Sequence, residues 1–123
     1  MADKVLIVDD EEMIRDLVKV SIKDLGVDTY EAQDGVEALE KVKEVKPDLV
    51  VLDILMPNKD GFRVCSEIKE NPETSGIYIL IITSRDTVLT QIALKRTGAD
   101  DILFKPFDPK ELKEKVKKGL GLF

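Results

Sequence analysis

The apolar run at positions 49–52, which leads directly into Asp53, limits the possible folds of this chain more than any other stretch. Four consecutive apolar residues predict a short strand buried on both faces, as in a parallel sheet that helices cover on both sides. Asp53 would then lie at the carboxyl end of that strand, where open α/β folds bind their ligands. Because an aspartate after a strand is also an ordinary loop residue, the other strands must decide what Asp53 does.

Strand-like and helix-like patterns alternate five times along the chain. The predicted strands cover residues 4–8, 27–31, 49–52, 77–82 and 101–104. The predicted helices cover about residues 13–25, 35–45, 62–70, 87–97 and 109–118. This alternation predicts an α/β fold with a five-stranded, doubly wound parallel sheet, and right-handed crossovers would place helices on both of its faces.

The length of 123 residues favours one globular domain, predicted to span residues 1–123. A net charge of −6 disfavours direct binding to nucleic acid. No apolar run is long enough to predict a membrane span, and the first residues lack the basic start and long apolar core of a signal peptide. The one cysteine, Cys65, cannot form an internal disulfide and is expected to be buried in a helix. These features predict a cytoplasmic protein that does not contact the membrane.

Polar residues with useful chemistry follow four of the five predicted strands, and in a parallel sheet these ends share one edge. They are Asp9 and Asp10 after the first strand, Asp53 after the third, Thr83 with Ser84 after the fourth and Lys105 after the fifth. Each has an ordinary explanation by itself, such as a helix cap or a solvated lysine. If strands one and three are neighbours, their occurrence together predicts a site in which three carboxylates meet an ammonium group and a hydroxyl group.

Three close carboxylates need compensating positive charge, since otherwise some of them would take up protons. The chain contains no histidine and only one cysteine, so this oxygen-rich site favours Mg²⁺, with Mn²⁺ as the alternative, over zinc. A carboxylate beside a cation, a lysine and a hydroxyl can also accept a phosphoryl group. The pattern therefore indicates phosphoryl transfer to Asp53, with Lys105 and Thr83 as supporting groups.

This set of motifs resembles the receiver domains of two-component response regulators, the CheY-like family. The motifs are Asp9-Asp10, then Asp53 followed by Met56-Pro57-Asn58-Lys59-Asp60-Gly61, then Thr83, then Lys105-Pro106. The resemblance covers essentially the whole chain. It implies a flavodoxin-like (βα)5 fold with strand order 2-1-3-4-5.

The resemblance also implies how the metal is held. Asp10, Asp53 and the backbone carbonyl of Leu55 would bind Mg²⁺ directly, while Asp9 would act mainly through water. Mg²⁺ retains several waters in such sites, and phosphate oxygens can take their positions.

By the same resemblance, Asp53 is the phosphorylated residue, Thr83 contacts the phosphoryl group after transfer, and Lys105 forms a salt bridge with it. The Lys105–Pro106 bond is expected to be cis. One position departs from the family pattern: three residues before the lysine, where the family usually has an aromatic switch residue, this chain has Ile102. The usual pairing of Thr83 with a rotating ring is therefore in question.

The implied partners are proteins that act in trans. Since the chain has no histidine, the phosphoryl donor would be the phosphohistidine of a histidine kinase or phosphotransfer domain. Phosphorylation would then switch binding of an unidentified output protein or domain at the face formed by the last two helices and the fifth strand. Gln91, Lys95, Ile102 and Lys115 are candidate contacts on that face.

Two positions that vary in the family bear on how long the phosphoryl group persists. They are the second residue after Asp53 and the second after Thr83, here Leu55 and Arg85. Leu55 offers no side-chain hydrogen bond to an attacking water, and Arg85 could cover the site. The sequence therefore predicts slow self-dephosphorylation.

Two other functions remain as alternatives. A Mg²⁺-dependent phosphohydrolase with an aspartyl-phosphate intermediate would need its nucleophile on the first strand and a second aspartate two positions later. The sequence Asp9-Asp10-Glu11 lacks that spacing. An interaction module that works without phosphorylation would have no use for the complete site. The chain is accordingly predicted to be a signalling domain, with only its own phosphorylation and dephosphorylation chemistry, rather than an enzyme.

Overall fold

A computed structural model describes residues 2–55, 60–84 and 87–122 of the chain. Its elements in order are β1 (Lys4–Val8), α1 (Glu12–Ile22), β2 (Asp28–Ala32), α2 (Gly35–Val45), β3 (Leu49–Asp53), α3 (Gly61–Glu70), β4 (Tyr78–Thr83), α4 (Val88–Arg96), β5 (Asp101–Phe104) and α5 (Pro109–Leu120). A short 3₁₀ turn, Lys23–Leu25, follows α1.

The five strands form one parallel sheet in the order β2-β1-β3-β4-β5, which confirms the predicted flavodoxin-like topology. β3 lies at the centre, between β1 and β4. Val8 of β1 is in register with Leu52 of β3, so both strands reach the carboxyl edge together. The order of the strands therefore decides which strand-end residues become neighbours.

Each face of the sheet buries its own apolar cluster. One cluster joins alternate strand residues to α2, α3 and α4, and the other joins the intervening strand residues to α1 and α5. The run 49–52 is fully buried and contributes to both clusters. Cys65 is buried in α3, as expected. Since each fully buried aliphatic side chain stabilises the fold by about 1.5–3 kcal/mol, the strand that carries Asp53 is firmly held.

Three strands end one residue later than the apolar pattern predicts, at Ala32, Asp53 and Thr83. In β3 and β4 the parallel ladder explains the extension, because Asp53 pairs with Ile82 and Thr83 pairs with Phe104. The backbone pairing carries the strand through polar residues that an apolar run cannot include. Both of these predicted site residues therefore lie on regular strands instead of loops.

Helix boundaries follow local capping chemistry. The Asp34 side chain accepts a hydrogen bond from the Glu37 backbone N–H at 2.8 Å, as expected of an N-cap. α2 ends at Val45, before Pro47. α5 continues to Leu120, two residues beyond the predicted end, because its last turn packs against the sheet.

The apolar residues of α4 do not all face the core. Val88 and Leu89 are 72% and 79% exposed, and Ile92 is also exposed, while Thr90 and Leu94 are buried. Fewer apolar side chains of α4 are therefore buried than its sequence suggests. Within the described ranges, no helix is long and apolar enough to cross a membrane.

Candidate functional site

The neighbouring strands β1 and β3 bring two predicted site residues together. Asp9 follows Val8 directly, and Asp53 follows Leu52, the residue with which Val8 is in register. Asp9 is completely buried and Asp53 is only 3% exposed. Asp10, the next residue, is exposed at the rim. The site is thus a buried acidic pair with one accessible carboxylate beside it.

The three carboxylates form a compact cluster. One ligand oxygen from each of Asp9, Asp10 and Asp53 can be chosen so that all three lie within 4.8 Å of one another. This spacing suits shared coordination of one cation. The structure thus brings the three carboxylates together beside the ends of the neighbouring strands β1 and β3, while their role as metal ligands remains a prediction.

Asp53 is held from two directions. Its Oδ1 accepts a hydrogen bond from the Leu55 backbone N–H at 3.2 Å, and its Oδ2 lies 3.6 Å from the Lys105 Nζ. Burial and the negative charge of Asp9 raise the pKa of Asp53 from 3.8 to about 6, even though the Leu55 N–H and the Lys105 ammonium favour ionisation. The carboxylate is therefore still mostly ionised at neutral pH, although burial and the nearby Asp9 destabilise its ionised form.

Lys105 follows β5 and reaches across to the acidic pair. Its Nζ donates a hydrogen bond to Asp9 Oδ2 at 2.9 Å, and its backbone N–H donates to the Thr83 carbonyl oxygen at 2.8 Å. Burial acts to lower the pKa of Lys105, but the hydrogen bond to Asp9 and the attraction of Asp53 outweigh it and raise the pKa above its ordinary value. The Lys105–Pro106 bond is cis, as the family resemblance implied.

The charge balance of this site fits a divalent cation. Lys105 is the one ammonium group that lies between buried carboxylates here, among the residues that the structure describes, and it faces a cluster of three acids. The side-chain donors of the cluster are all carboxylate oxygens, which Mg²⁺ and Mn²⁺ prefer. The residues present therefore fit the predicted Mg²⁺, and a bound cation would relieve the repulsion between Asp9 and Asp53.

Thr83 is the last residue of β4 and is completely buried beside the site. Its carbonyl accepts the hydrogen bond from the Lys105 backbone, so the two predicted phosphoryl-contacting residues are joined. Ile102 is in register with Ile81, two residues before Thr83, and packs against the cluster under α4. By strand alternation, Ile102 and Thr83 therefore share one face of the sheet. Their switch roles remain predictions.

Some predicted features lie outside the described residues. These are Arg85 and the motif positions 56–59. The Leu55 side chain is 42% exposed, beside Asp53. The metal-binding role of its backbone carbonyl remains a prediction.

Two residues contribute to the site in ways that the sequence reasoning did not identify. Arg15 of α1 donates a hydrogen bond from Nη1 to the Asp9 carbonyl oxygen at 2.7 Å, and its Nε donates to Glu31 at the end of β2. Glu31 is the last residue of the predicted second strand, the one predicted strand to which no site residue was assigned from the sequence. The sequence signal that could have identified Arg15 is its position about one helical turn after the acidic residues 9–12, from which its side chain can reach back to the end of β1.

Comparisons with known proteins agree on one family. The family model described as "Response regulator receiver domain" matches residues 5–117. A protein described as a response regulator from Chloroflexus aurantiacus is 32% identical, with a TM-score of 0.92 over 98% of this chain and 99% of that one. The chemotaxis response regulator CheY4 of Vibrio cholerae is 31% identical, with a TM-score of 0.90 over 98% of this chain and 100% of CheY4. The BeF₃-activated receiver domain of DrrB, a Thermotoga maritima protein, is 29% identical, with a TM-score of 0.89 over 98% and 99% of the two chains.

Proposed function

Because the chain belongs to the response regulator receiver domain family, we propose that Asp53 accepts a phosphoryl group from the phosphohistidine of a histidine kinase or phosphotransfer domain. Receiver domains interact with such partners, and because these 123 residues contain no histidine, the phosphohistidine must belong to another domain or protein. The observation that carries the proposal is the placement of Asp53. It ends the buried central strand, beside two further carboxylates and 3.6 Å from the Lys105 Nζ.

In the proposed transfer, an Asp53 carboxylate oxygen attacks the phosphorus of the donor. A P–O bond forms as the P–N bond breaks, and the departing imidazole keeps the electron pair and takes up a proton. The Leu55 N–H fixes the orientation of the Asp53 carboxylate, and the Lys105 ammonium lies where negative charge accumulates. Since the pKa of Asp53 is about 6, the nucleophile is ionised for most of the time above pH 7.

The cation belongs to the proposal as well. Asp9, Asp10 and Asp53 would hold Mg²⁺, together with the Leu55 carbonyl. When bound, the ion supplies positive charge that neutralises the phosphoryl oxygens during transfer. Without the ion, Lys105 is the cationic side chain, within the part of the chain that the structure describes, that contacts both buried acids, Asp9 and Asp53.

The output step rests on a local change of charge. Phosphorylation adds about −1.5 to −2 charges beside Lys105, which biases an existing equilibrium between inactive and active conformations. Thr83 would contact the phosphoryl group, and the change would reach the face formed by α4, β5 and α5, where Gln91, Lys95, Ile102 and Lys115 are candidate contacts. Lys115 already forms an ion pair with Asp101 of β5 at 3.2 Å, which a partner would have to accommodate or replace.

We further propose that the domain signals in the cytoplasm and is not an enzyme with turnover of a separate substrate. The acid and ammonium groups of the site serve the modification of Asp53 itself. Binding of membranes or nucleic acid by this domain is not part of the proposal, in line with the net charge of −6.

Intact-mass measurement after incubation with acetyl phosphate and Mg²⁺ tests the proposal. Wild-type protein should gain the mass of one phosphoryl group, Asp53→Asn should gain none, and Asp100→Asn, a matched change at the opposite edge of the sheet, should gain it normally. Multiple turnover of phosphate esters would indicate the phosphohydrolase instead. The absence of an adduct with both small-molecule and phosphohistidine donors would indicate an interaction module that works without phosphorylation.

A further inference from the structure

Arg15 connects the acidic cluster to two neighbouring elements. It lies on α1, its side chain is only 14% exposed, and its guanidinium makes two directed hydrogen bonds. Nη1 donates to the Asp9 carbonyl oxygen at 2.7 Å, and Nε donates to Glu31 Oε1 at 3.0 Å. The other carboxylate oxygen of Glu31 accepts from Lys19 at 2.8 Å. The end of β2 thus anchors the guanidinium while the guanidinium holds the end of β1.

Among the described residues, four hydrogen bonds restrain Asp9. Its backbone N–H donates to the Ala32 carbonyl at 3.2 Å, its Oδ1 accepts from the Glu11 N–H at 2.9 Å, and its Oδ2 accepts from Lys105. The fourth restraint, on the carbonyl oxygen, comes from Arg15. The contact with the Ala32 carbonyl acts on the strand backbone and that with Lys105 on the Asp9 side chain, while the contact with the Glu11 N–H also holds the peptide group after Asp10. The Arg15 contact acts on the peptide group that directly follows Asp9.

That peptide group joins Asp9 to Asp10. Because a peptide bond is planar, fixing its carbonyl oxygen also fixes the direction of the next Cα atom. Asp10 is exposed, so the surrounding protein packs against it much less than it packs against Asp9. The contact from Arg15 therefore restrains the peptide before Asp10, as the Glu11 N–H contact restrains the peptide after it. The Arg15 contact thereby helps to place the Asp10 carboxylate within 4.8 Å of the other two acids.

We propose that Arg15 is a positioning residue for the cation site, holding the Asp9–Asp10 peptide so that the Asp10 carboxylate lies beside Asp9 and Asp53. The inference rests on the proposed function, since it concerns the Mg²⁺ that the acidic cluster would bind. The planar guanidinium suits this task because it presents donors in two fixed directions, one to the carbonyl and one to Glu31. A lysine at this position could satisfy one partner but would not be oriented by the other.

Whether replacement of Arg15 raises or lowers the Mg²⁺ Kd distinguishes a positioning role from a purely electrostatic one. Removing a positive charge near the acidic cluster removes a Coulomb repulsion of Mg²⁺, and this effect alone should strengthen the binding of Mg²⁺. Removing a positioning contact should weaken it. Lys19 provides the matched control, because it pairs with the same Glu31 and has no hydrogen bond to Asp9 in the described part of the chain.

The test is a calorimetric Mg²⁺ titration of the wild type, Arg15→Met, Arg15→Lys and Lys19→Met. We expect Arg15→Met to raise the Mg²⁺ Kd about tenfold, Arg15→Lys to raise it about threefold, and Lys19→Met to leave it within about twofold of the wild type. The maximal rate of phosphorylation by acetyl phosphate at saturating Mg²⁺ should stay within about threefold in all four proteins, because Asp53 and Lys105 are untouched.

An unchanged or lowered Mg²⁺ Kd in Arg15→Met would overturn the inference while leaving the proposed function intact. If wild-type protein binds no Mg²⁺, the metal part of the proposed function fails and the inference fails with it. Circular dichroism first establishes that each variant is folded. Should Arg15→Met not fold, Glu31→Gln keeps the side-chain shape, weakens the anchor of the guanidinium and should raise the Kd about threefold; an unchanged Kd there would count against Arg15 equally.

Discussion

The sheet has an amino edge, where its parallel strands begin, and a carboxyl edge, where they end. The two edges use the same kinds of charged residue for opposite purposes. At the amino edge, Lys69 Nζ lies 2.8 Å from Asp100 Oδ2 and also donates to the Ile77 carbonyl at 2.6 Å. Asp100 Oδ2 in turn accepts from the Ile79 backbone N–H at 2.8 Å. One acid meets one base, and both are tied to the backbone of β4 or the turn before it. This arrangement closes the edge and stabilises the fold.

The carboxyl edge is not balanced in this way. Asp9, Asp10 and Asp53 form a cluster in which, among the described residues, Lys105 is the one ammonium group that contacts Asp9 and Asp53. The pKa of Asp53 rises to about 6. Burial of unbalanced acids reduces stability unless a cation or a proton joins them. The difference between the edges shows where this fold keeps more negative than positive charge, and this excess would favour the Mg²⁺ that we propose is bound at the carboxyl edge.

Two tightly packed glycines, one near each edge, allow a test of this comparison, and their substitution should have the largest effects. A Cβ at Gly61 would lie 2.6 Å from the Asp53 carbonyl oxygen and closer still to the Ile54 Cα. A Cβ at Gly119 would lie 2.6 Å from the Tyr78 ring. We expect Gly61→Ala to lower the free energy of unfolding by about 3 kcal/mol and Gly119→Ala by about 2 kcal/mol, as measured by urea denaturation, because backbone yields less readily than a side chain.

The phosphorylation rates of the two variants should differ more than their free energies of unfolding do. The phosphorylation rate of folded Gly61→Ala should fall at least about tenfold, because the insertion displaces the main chain that carries Asp53, while Gly119→Ala should keep its rate. Gly76→Ala is the control, since a Cβ there has no neighbour within 4 Å in the described structure, and its stability and rate should match the wild type. Equal losses of rate in Gly61→Ala and Gly119→Ala would contradict the division between the edges.

Much of the carboxyl edge could be predicted from the sequence, for a physical reason. Apolar runs identify buried strands, parallel strands share an edge, and the residues that follow the runs must therefore meet. Asp9, Asp53, Thr83 and Lys105 were all placed in this way. The prediction of a cation followed from the charge of three acids beside one lysine, and the choice of Mg²⁺ followed from the oxygen ligands and the absence of histidine.

The rest depends on contacts that no sequence pattern encodes. The hydrogen bond from Arg15 to the Asp9 carbonyl requires the angle at which α1 leaves the sheet, and Glu31 matters only because β2 lies beside β1. The outward orientation of Val88 and Leu89 on α4 is another example. Periodicity assigns apolar residues to a helix, but the packing of that helix decides which of them are covered.

Neutralising Asp53 should stabilise the cation-free protein at neutral pH. The pKa of Asp53 rises from 3.8 to about 6 on folding, so the folded state holds the proton more tightly than the unfolded state. The resulting stabilisation is fully present below about pH 4, is lost as the pH rises through about 6, and is absent above that. In EDTA, urea denaturation should therefore show Asp53→Asn more stable than the wild type by about 1–2 kcal/mol at pH 7.5, with the difference vanishing towards pH 4.

The balanced edge supplies the control for this pH dependence. Asp100→Asn removes an acid that is paired with Lys69, so it should destabilise the protein at pH 7.5 instead of stabilising it. Addition of Mg²⁺ should reverse the order at the carboxyl edge, because the wild type gains a ligand-binding contribution that Asp53→Asn has largely lost. A gain in stability from Asp100→Asn, or no gain from Asp53→Asn in EDTA, would mean that the two edges do not differ in charge balance.

The smallest expected effect concerns how long the carboxyl edge keeps its phosphoryl group. Leu55 is 42% exposed beside Asp53 and has no group that could orient an attacking water. The phosphorylated wild type should therefore persist well beyond seconds, and Leu55→Asn should shorten its half-life about fivefold, which corresponds to about 1 kcal/mol in the barrier. Loss of phosphoryl mass after removal of the donor measures both rates.

Leu55→Ala separates the two ways in which Leu55→Asn could act. Alanine removes bulk without adding a hydrogen-bonding group, so a half-life near that of the wild type would assign the effect to the asparagine amide and its contact with water. An equally short half-life in both variants would show instead that the leucine side chain shields the phosphoryl group. A wild-type half-life of only seconds would contradict the prediction altogether, because an edge without a water-orienting side chain at position 55 should hold its added charge for longer.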